Sequence, residues 1–285
     1  MAVAHPTKRI GLVAGWGRLP VVVAMALRRE GYEVYCLGIK DHADAATLKS
    51  VSKEYSEVGA AQLGAAIRYF RKHRVGLATM AGKIFKVRMY ERFAFFRHLP
   101  DLRFLRTFWP MLIHKKNRRD DTLLLTVIDA FAQDQIRFAP ATDFAPELLV
   151  KSGQLAGPPL TAAQQRDVEF GWKAAKEMGR LDIGQSVCVK NETVIAVEAI
   201  EGTDECIRRA GELCKGGFVL VKVAKPQQDM RFDVPTIGMG TLERLIASGG
   251  KVMAVEAGKT IFVDEAEVCA AATKKGVSIV AIQGD

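Results

Sequence analysis

An α/β protein of two successive domains is the fold the sequence predicts, and three observations carry that expectation. Short apolar runs rich in Val, Ile and Leu alternate with stretches of helical period along nearly all 285 residues. The first run passes through a glycine turn into a helix and then a second strand, which is how a Rossmann-like half begins. A Gly/Pro-rich break, KSGQLAGPP at 151–159, divides the chain into a Rossmann-like N-terminal domain, 1–150, and a separate C-terminal α/β domain, 151–285.

The first strand is residues 10–14, inside KRIGLVAGWGRLP. Pro20 suits the first turn of a helix over 21–29, and Gly31 ends it. Residues 33–37 form the second strand. Gly15 and Gly17 let backbone amides approach a phosphate at the helix N-terminus. Pro20 stands where the third glycine of a dinucleotide fingerprint belongs, so NAD is not expected. Residues 58–74 are predicted helical on the spacing of Leu63, Ile67 and Phe70, and 76–80 form a strand ending at Gly82-Lys83, a pair that can hold a phosphate.

Residues 90–113 differ from the rest, setting Phe93, Phe95, Phe96, Phe104, Phe108 and Trp109 among Arg92, Arg97, Arg103 and Arg106. That mixture fits a stacking surface for nucleic acid, an interfacial membrane segment, or amphipathic helices packed on the sheet. Pro100 and Pro110 break it into short pieces, and a surface for greasy chains stays open. A helix over 117–131, with Asp120 or Asp121 in its first turn, and a strand at 136–139 complete the domain. In the second domain, strands are predicted at 182–189, 194–199, 217–223, 251–257, 260–264 and 278–282. Helices fall at 161–178, 204–213, 241–247 and 264–275.

With 49% hydrophobic and 26% charged residues the chain is a folded globular protein. Its five cysteines are scattered and lack any C-x-x-C, which argues against a disulfide framework or zinc site and predicts a reduced, cytosolic setting. No apolar run reaches membrane-spanning length. The net charge of +9 favours an anionic partner: nucleic acid, a membrane surface or a phosphorylated small molecule.

The chemistry concentrates in residues 216–238, GGFVLVKVAKPQQDMRFDVPTIG. An apolar strand carrying Lys222 breaks at Lys225-Pro226. Gln227, Gln228, Asp229, Arg231 and Asp233 follow within seven residues, at the strand end where α/β proteins place their sites. If 229–233 runs extended, Asp229, Arg231 and Asp233 share a face. The plain alternative is turn capping beside two prolines, or a surface Asp–Arg–Asp network. The second acidic strand, VIAVEAIEGTD at 194–204, holds Glu198 inside its apolar run and then Glu201, Gly202, Thr203 and Asp204. A buried carboxylate needs a cation or hydrogen bonds, and hard oxygen donors suit Mg²⁺.

The segments LVAGWGRLP, RRDDTLL, LDIGQSVCV, VEAIEGTDECIRRAG and VKVAKPQQDMRFDVPTIG together resemble the bacterial UDP-2,3-diacylglucosamine pyrophosphatase family of lipid A synthesis, in the form unrelated to calcineurin-like phosphoesterases. The resemblance spans nearly the whole chain. It implies substrate held between the two domains and Mg²⁺-dependent hydrolysis of UDP-2,3-diacylglucosamine to UMP and 2,3-diacylglucosamine 1-phosphate (lipid X). Catalytic roles are expected at Asp233, Asp229, Arg231, Lys222 and Lys225, and metal ligation among Asp229, Asp233, Glu198, Glu201 and Asp204. Substrate contacts are expected at Gly15, Trp16, Gly17, Arg18, Gly82 and Lys83, and at Gln185, Gly202, Thr203 and Gln228. The five histidines lie outside this set and no nucleophile motif is present, which favours direct attack by water. A diacylated substrate and the +9 charge together predict a cytoplasmic protein peripheral on the inner face of the inner membrane. No nucleic acid partner is expected, and a homo-oligomer stays open. The competing reading is a non-catalytic module binding a nucleotide or lipid headgroup.

Overall fold

The computed structural model describes residues 8–84, 98–113 and 120–284, with 110–113, 120 and 121 described by backbone alone. Residues 90–97 of the aromatic–arginine segment, and 114–119 at the start of the expected 117–131 helix, lie outside the described residues. The chain forms two compact units: residues 1–146 together with Met230–Phe232, and the remainder from Glu147 onward.

The first unit runs β1 (Lys8–Ala14), α1 (Leu19–Arg29), β2 (Tyr32–Ile39), α2 (Ala45–Val51), β3 (Glu54–Val58), α3 (Leu63–Lys72) and β4 (Leu77–Ala81). It continues with α4 (Leu102–Ile113), α5 (Asp120–Gln133), β5 (Arg137–Phe138) and α6 (Ala141–Phe144). The strands make one sheet in the order β3-β2-β1-β4-β5, every neighbouring pair parallel. This is the Rossmann-like order, and it reverses beside β1, where such sheets bind ligands. Central β1 buries Ile10, Leu12 and Ala14 completely, and α3 presses Leu63, Ile67 and Phe70 into the core. Each of the Leu, Ile and Phe side chains among these contributes about 1.5–3 kcal/mol by leaving water.

The expected 58–74 helix is corrected at its start: Glu54–Val58 is edge strand β3, and α3 begins only at Leu63. Of β3 only Val58 is buried, so its apolar pattern is faint. Pairing with β2 holds it in place, helped by Tyr69, whose hydroxyl donates to the carbonyls of Cys36 and Glu54.

The second unit contains β6 (Gly153–Ala156), α7 (Ala162–Arg180), β7 (Ser186–Lys190), β8 (Thr193–Val197), α8 (Thr203–Cys214) and β9 (Val219–Lys222). Then follow β10 (Thr236–Ile237), α9 (Met239–Ala247), β11 (Val252–Glu256), β12 (Ile261–Phe262), α10 (Glu265–Lys274) and β13 (Ser278–Ile282). Its main sheet is six-stranded, β6-β13-β11-β9-β7-β8, with β9, β11 and β13 parallel. Strand alternation separates two cores. Val219, Val221 and Val223 face a cluster with Val168 and Ala175 of α7, whereas Leu220 packs with Ile207 of α8 and Leu242 of α9.

The linker reading of 151–159 is a second correction. Gly153–Ala156 is strand β6, antiparallel to β13, rather than a linker. Its glycines serve bends instead: Gly157 has φ +75° and leaves no room for a Cβ against Val277. Thr161 then caps α7 in a reciprocal capping box with Gln164. The cysteines are free, with the sulfurs of Cys188 and Cys206 4.0 Å apart in the core. Burial pushes the Cys36 thiol up to about 12, so it stays protonated.

Candidate functional site

The polar cluster of the second unit starts from strand period. Lys222 is the residue of β9 after Val221, so it leaves the α7 face and turns toward α8. The register sets it opposite Ser186 of β7. Its ammonium is buried, with 7% of the residue exposed, and donates to Thr203 Oγ1 and to the carbonyl of Thr236, each at 3.2 Å. Thr203 Oγ1 donates to Glu198 Oε1 at 2.9 Å and lies 3.4 Å from Ser186 Oγ. Thus Lys222, Thr203, Glu198 and the unexpected Ser186 form one buried network at the N-terminus of α8. Gly202 enters that helix at φ +85°, a conformation that favours glycine.

Glu198 remains half-satisfied. It is buried, and its Oε2 has no hydrogen-bond partner among the described residues. A bare carboxylate oxygen at such depth invites a cation or donor from a ligand. Glu201 is engaged differently: Arg209 pairs with it and donates to the carbonyl of Val197 at 2.6 Å. Asp204 lies in the first turn of α8, where its charge suits the dipole.

The loop after β9 is held by its amides. Gln228 accepts from Lys225 N at 2.8 Å and donates to Gln185 Oε1 at 3.2 Å, and Gln227 donates to the carbonyl of Gly179 at 2.8 Å. Lys225 pairs with Asp182 at 2.9 Å. The expected extended run at 229–233 is corrected: Asp233 N donates to the carbonyl of Asp229 at 3.0 Å, closing a helical turn. Asp229 and Asp233 therefore stand at i and i+4 on one side, with Arg231 carried toward the other. Pro235 and the strand β10 that follows stop the turn from propagating.

Among the described residues no three His, Cys, Asp or Glu side chains converge, so no all-protein metal cage is built there. Mg²⁺ commonly takes one or two carboxylates and completes its shell with phosphate oxygens and water. The unpartnered oxygen of Glu198 and the one-turn spacing of Asp229 and Asp233 each fit an ion shared in that way.

In the first unit the two glycine turns interlock. Gly15 N donates to the carbonyl of Ala81, and Trp16 and Lys83 exchange backbone bonds at 2.8 and 3.0 Å. A Cβ on Gly15 would lie 2.7 Å from the carbonyl oxygen of Lys83, and one on Gly82 2.8 Å from Gly15 C. Gly17, at φ +103°, faces open space. Arg18 precedes α1 without capping it by its side chain. These turns border an apolar cavity of about 590 Å³ at the C-terminal edge of the sheet. Val13, Leu37 and Met80 form its floor, Phe108 and Leu124 come from α4 and α5, and Phe232 joins them. Among the described residues Gln62 is the one polar side chain in the lining, and its oxygen accepts from Gly59 N at 2.9 Å. Phe104 and Phe108, from the segment read as a possible surface for greasy chains, line the cavity; its other walls escaped the sequence because they have the composition of ordinary core.

The LpxI N-terminal domain matches residues 9–148 and the LpxI C-terminal domain residues 151–280. The chain is 31% identical over 283 residues to UDP-2,3-diacylglucosamine pyrophosphatase LpxI of Caulobacter vibrioides, covering 96% of this chain and 98% of that protein. A crystal structure of AnUbiX (PadA1) with FMN and dimethylallyl pyrophosphate is 14% identical and covers 47% of this chain and 98% of its own. Its TM-score of 0.19 carries no weight. Matched in both halves and along nearly its whole length, the chain belongs to the LpxI family.

Proposed function

We propose that the protein hydrolyses the diphosphate of UDP-2,3-diacylglucosamine to UMP and lipid X, a step of lipid A biosynthesis. The observation that carries this reading beyond family membership is the cavity of the first unit. Its apolar walls suit a fatty acyl chain, and its border is formed by Gly15 and Gly82, whose turns suit a phosphate. Trp16, Gly17, Arg18 and Lys83 extend the same border and are assigned to substrate.

Lys222, Lys225 and Arg231 supply cationic donors to the non-bridging oxygens. Either Asp229 or Asp233 takes a proton from the attacking water. Water adds to one phosphorus, the anhydride P–O bond breaks, and the departing phosphate oxygen carries away the electron pair. A Mg²⁺ ion held by one or two of Asp229, Asp233 and Glu198 together with the substrate phosphates would neutralise developing negative charge. Gln185 and Gln228 shape the loop, and Gly202 and Thr203 present the amides of α8.

The enzyme meets its substrate at the inner face of the membrane. Among the described residues no helix is long and apolar enough to cross one. Supporting a peripheral contact, Leu102, Leu105, Arg106 and Trp109 recur at helical spacing on α4, and Leu102 and Trp109 are 63% and 60% exposed. The test is turnover of the diacylated substrate by chelator-treated protein with and without added Mg²⁺. Activity restored by Mg²⁺ supports the reading. Full activity after chelation removes the metal from it, and inactivity under every condition removes the reaction.

A further inference from the structure

We propose that the buried pair Glu256–Lys176 is a positioning device for the reactive loop: it fixes Ala224, the residue from which that loop departs. The inference rests on the proposed role of residues 225–235.

The parallel ladder between β9 and β11 ends at the pair Lys222 and Val255, so the backbone of Ala224 lies beyond the last strand partner. Side chains replace the ladder there. Glu256, at the end of β11 and wholly buried, accepts from Ala224 N at 2.8 Å through Oε2. Lys176 of α7 donates to the carbonyl of Ala224 at 3.2 Å and to the same Oε2 at 2.6 Å. Both polar backbone atoms of one residue are thereby held by a single ion pair. Lys259 Nζ lies 2.9 Å from Oε1, an ion-pair contact outside hydrogen-bond geometry. Burial alone would raise the Glu256 carboxyl, but Lys176, Lys259 and the Ala224 amide outweigh it and hold it below the usual range. The carboxylate is therefore charged at neutral pH.

The same helix braces the loop again one turn on. Gln227 donates to the carbonyl of Gly179, and a Cβ on Gly179 would come within 3.3 Å of Lys225 Cα. An apolar pair of equal volume could join α7 to the strand ends without the desolvation cost of burying charge. It would leave the amide of Ala224 without its acceptor and the carbonyl without its donor. What the ion pair adds is a fixed origin for the loop that carries Asp229 and Asp233, whose distance from the reacting phosphate governs rate.

The test compares Glu256→Gln, Lys176→Met and Lys176→Arg with Asp229→Ala and Asp233→Ala, on diacylated substrate at saturating Mg²⁺. Glu256→Gln and Lys176→Met are expected to lower kcat by about tenfold to a hundredfold with KM little changed, the scale of a displaced catalytic group. Lys176→Arg should recover most of the loss, and hydrogen exchange over 223–235 should quicken in Lys176→Met. Folded Glu256→Gln and Lys176→Met proteins with parental kcat, alongside inactive Asp229→Ala or Asp233→Ala, would overturn the positioning role alone. Parental kcat in both aspartate variants would instead overturn the role of the loop. Should Glu256→Gln not fold, Lys176→Met decides, since the Lys176 side chain is already 25% exposed.

Discussion

The amide of Asp233 donates to the carbonyl of Asp229 at 3.0 Å, so the two carboxylates stand one turn apart on the same side of the loop. Two acids at that spacing can serve one reacting centre together, one taking a proton and one facing a cation. Asp229→Ala and Asp233→Ala are each expected to cut turnover by about a hundredfold, roughly 3 kcal/mol of barrier. Substrate binding and melting temperature should change little. Single-turnover kinetics beside a binding titration separates these quantities, and turnover within a few-fold of the parent in both variants would remove the site from this loop.

Thr203 connects Lys222 to Glu198 through one hydroxyl. Thr203→Val keeps the shape and deletes the link, leaving the ammonium short of an acceptor and the carboxylate without its donor. A loss of about 1–3 kcal/mol in unfolding free energy is expected, measurable by urea titration. Unchanged stability would mean that solvent or a relaxed rotamer satisfies both groups.

The glycine turns separate into two kinds. Gly15→Val drives a side chain into the carbonyl of Lys83, so it should disrupt the join between the β1 and β4 turns and lower the melting temperature. Gly17 faces open space, and Gly17→Ala meets the cost of a positive-φ backbone, about 1–3 kcal/mol, without a steric clash. That variant should fold and bind substrate more weakly. A parental KM in folded Gly17→Ala would leave this turn a purely structural role.

The cavity predicts a selective defect. Leu124→Trp fills space between α5 and the sheet edge. It should raise KM for the diacylated substrate by about tenfold or more while sparing the weak turnover of a deacylated UDP-glucosamine. Equal effects on both substrates would place the acyl chains elsewhere.

Much of this was legible along the chain, for local reasons. Strand β1, its glycine turn and Pro20 state their conformations in neighbouring residues, and the alternation through Lys222 showed that a charge enters a buried strand. Edge strands were harder to read. β3 buries Val58 alone, and β6 sits in a segment whose glycines look like a linker. The turn at 229–233 depends on one backbone bond that side-chain order does not announce. Ser186 and the Glu256–Lys176 pair were invisible because their partners lie 17 and 80 residues away in sequence.

The most direct measurement follows the products of UDP-2,3-diacylglucosamine in heavy-oxygen water by mass spectrometry. The account predicts UMP and lipid X in equal amounts, with one labelled oxygen in one of the two new phosphates, and both products formed about a hundredfold more slowly by the Asp233→Ala protein. Intact substrate, or release of UDP with free diacylglucosamine, would contradict it.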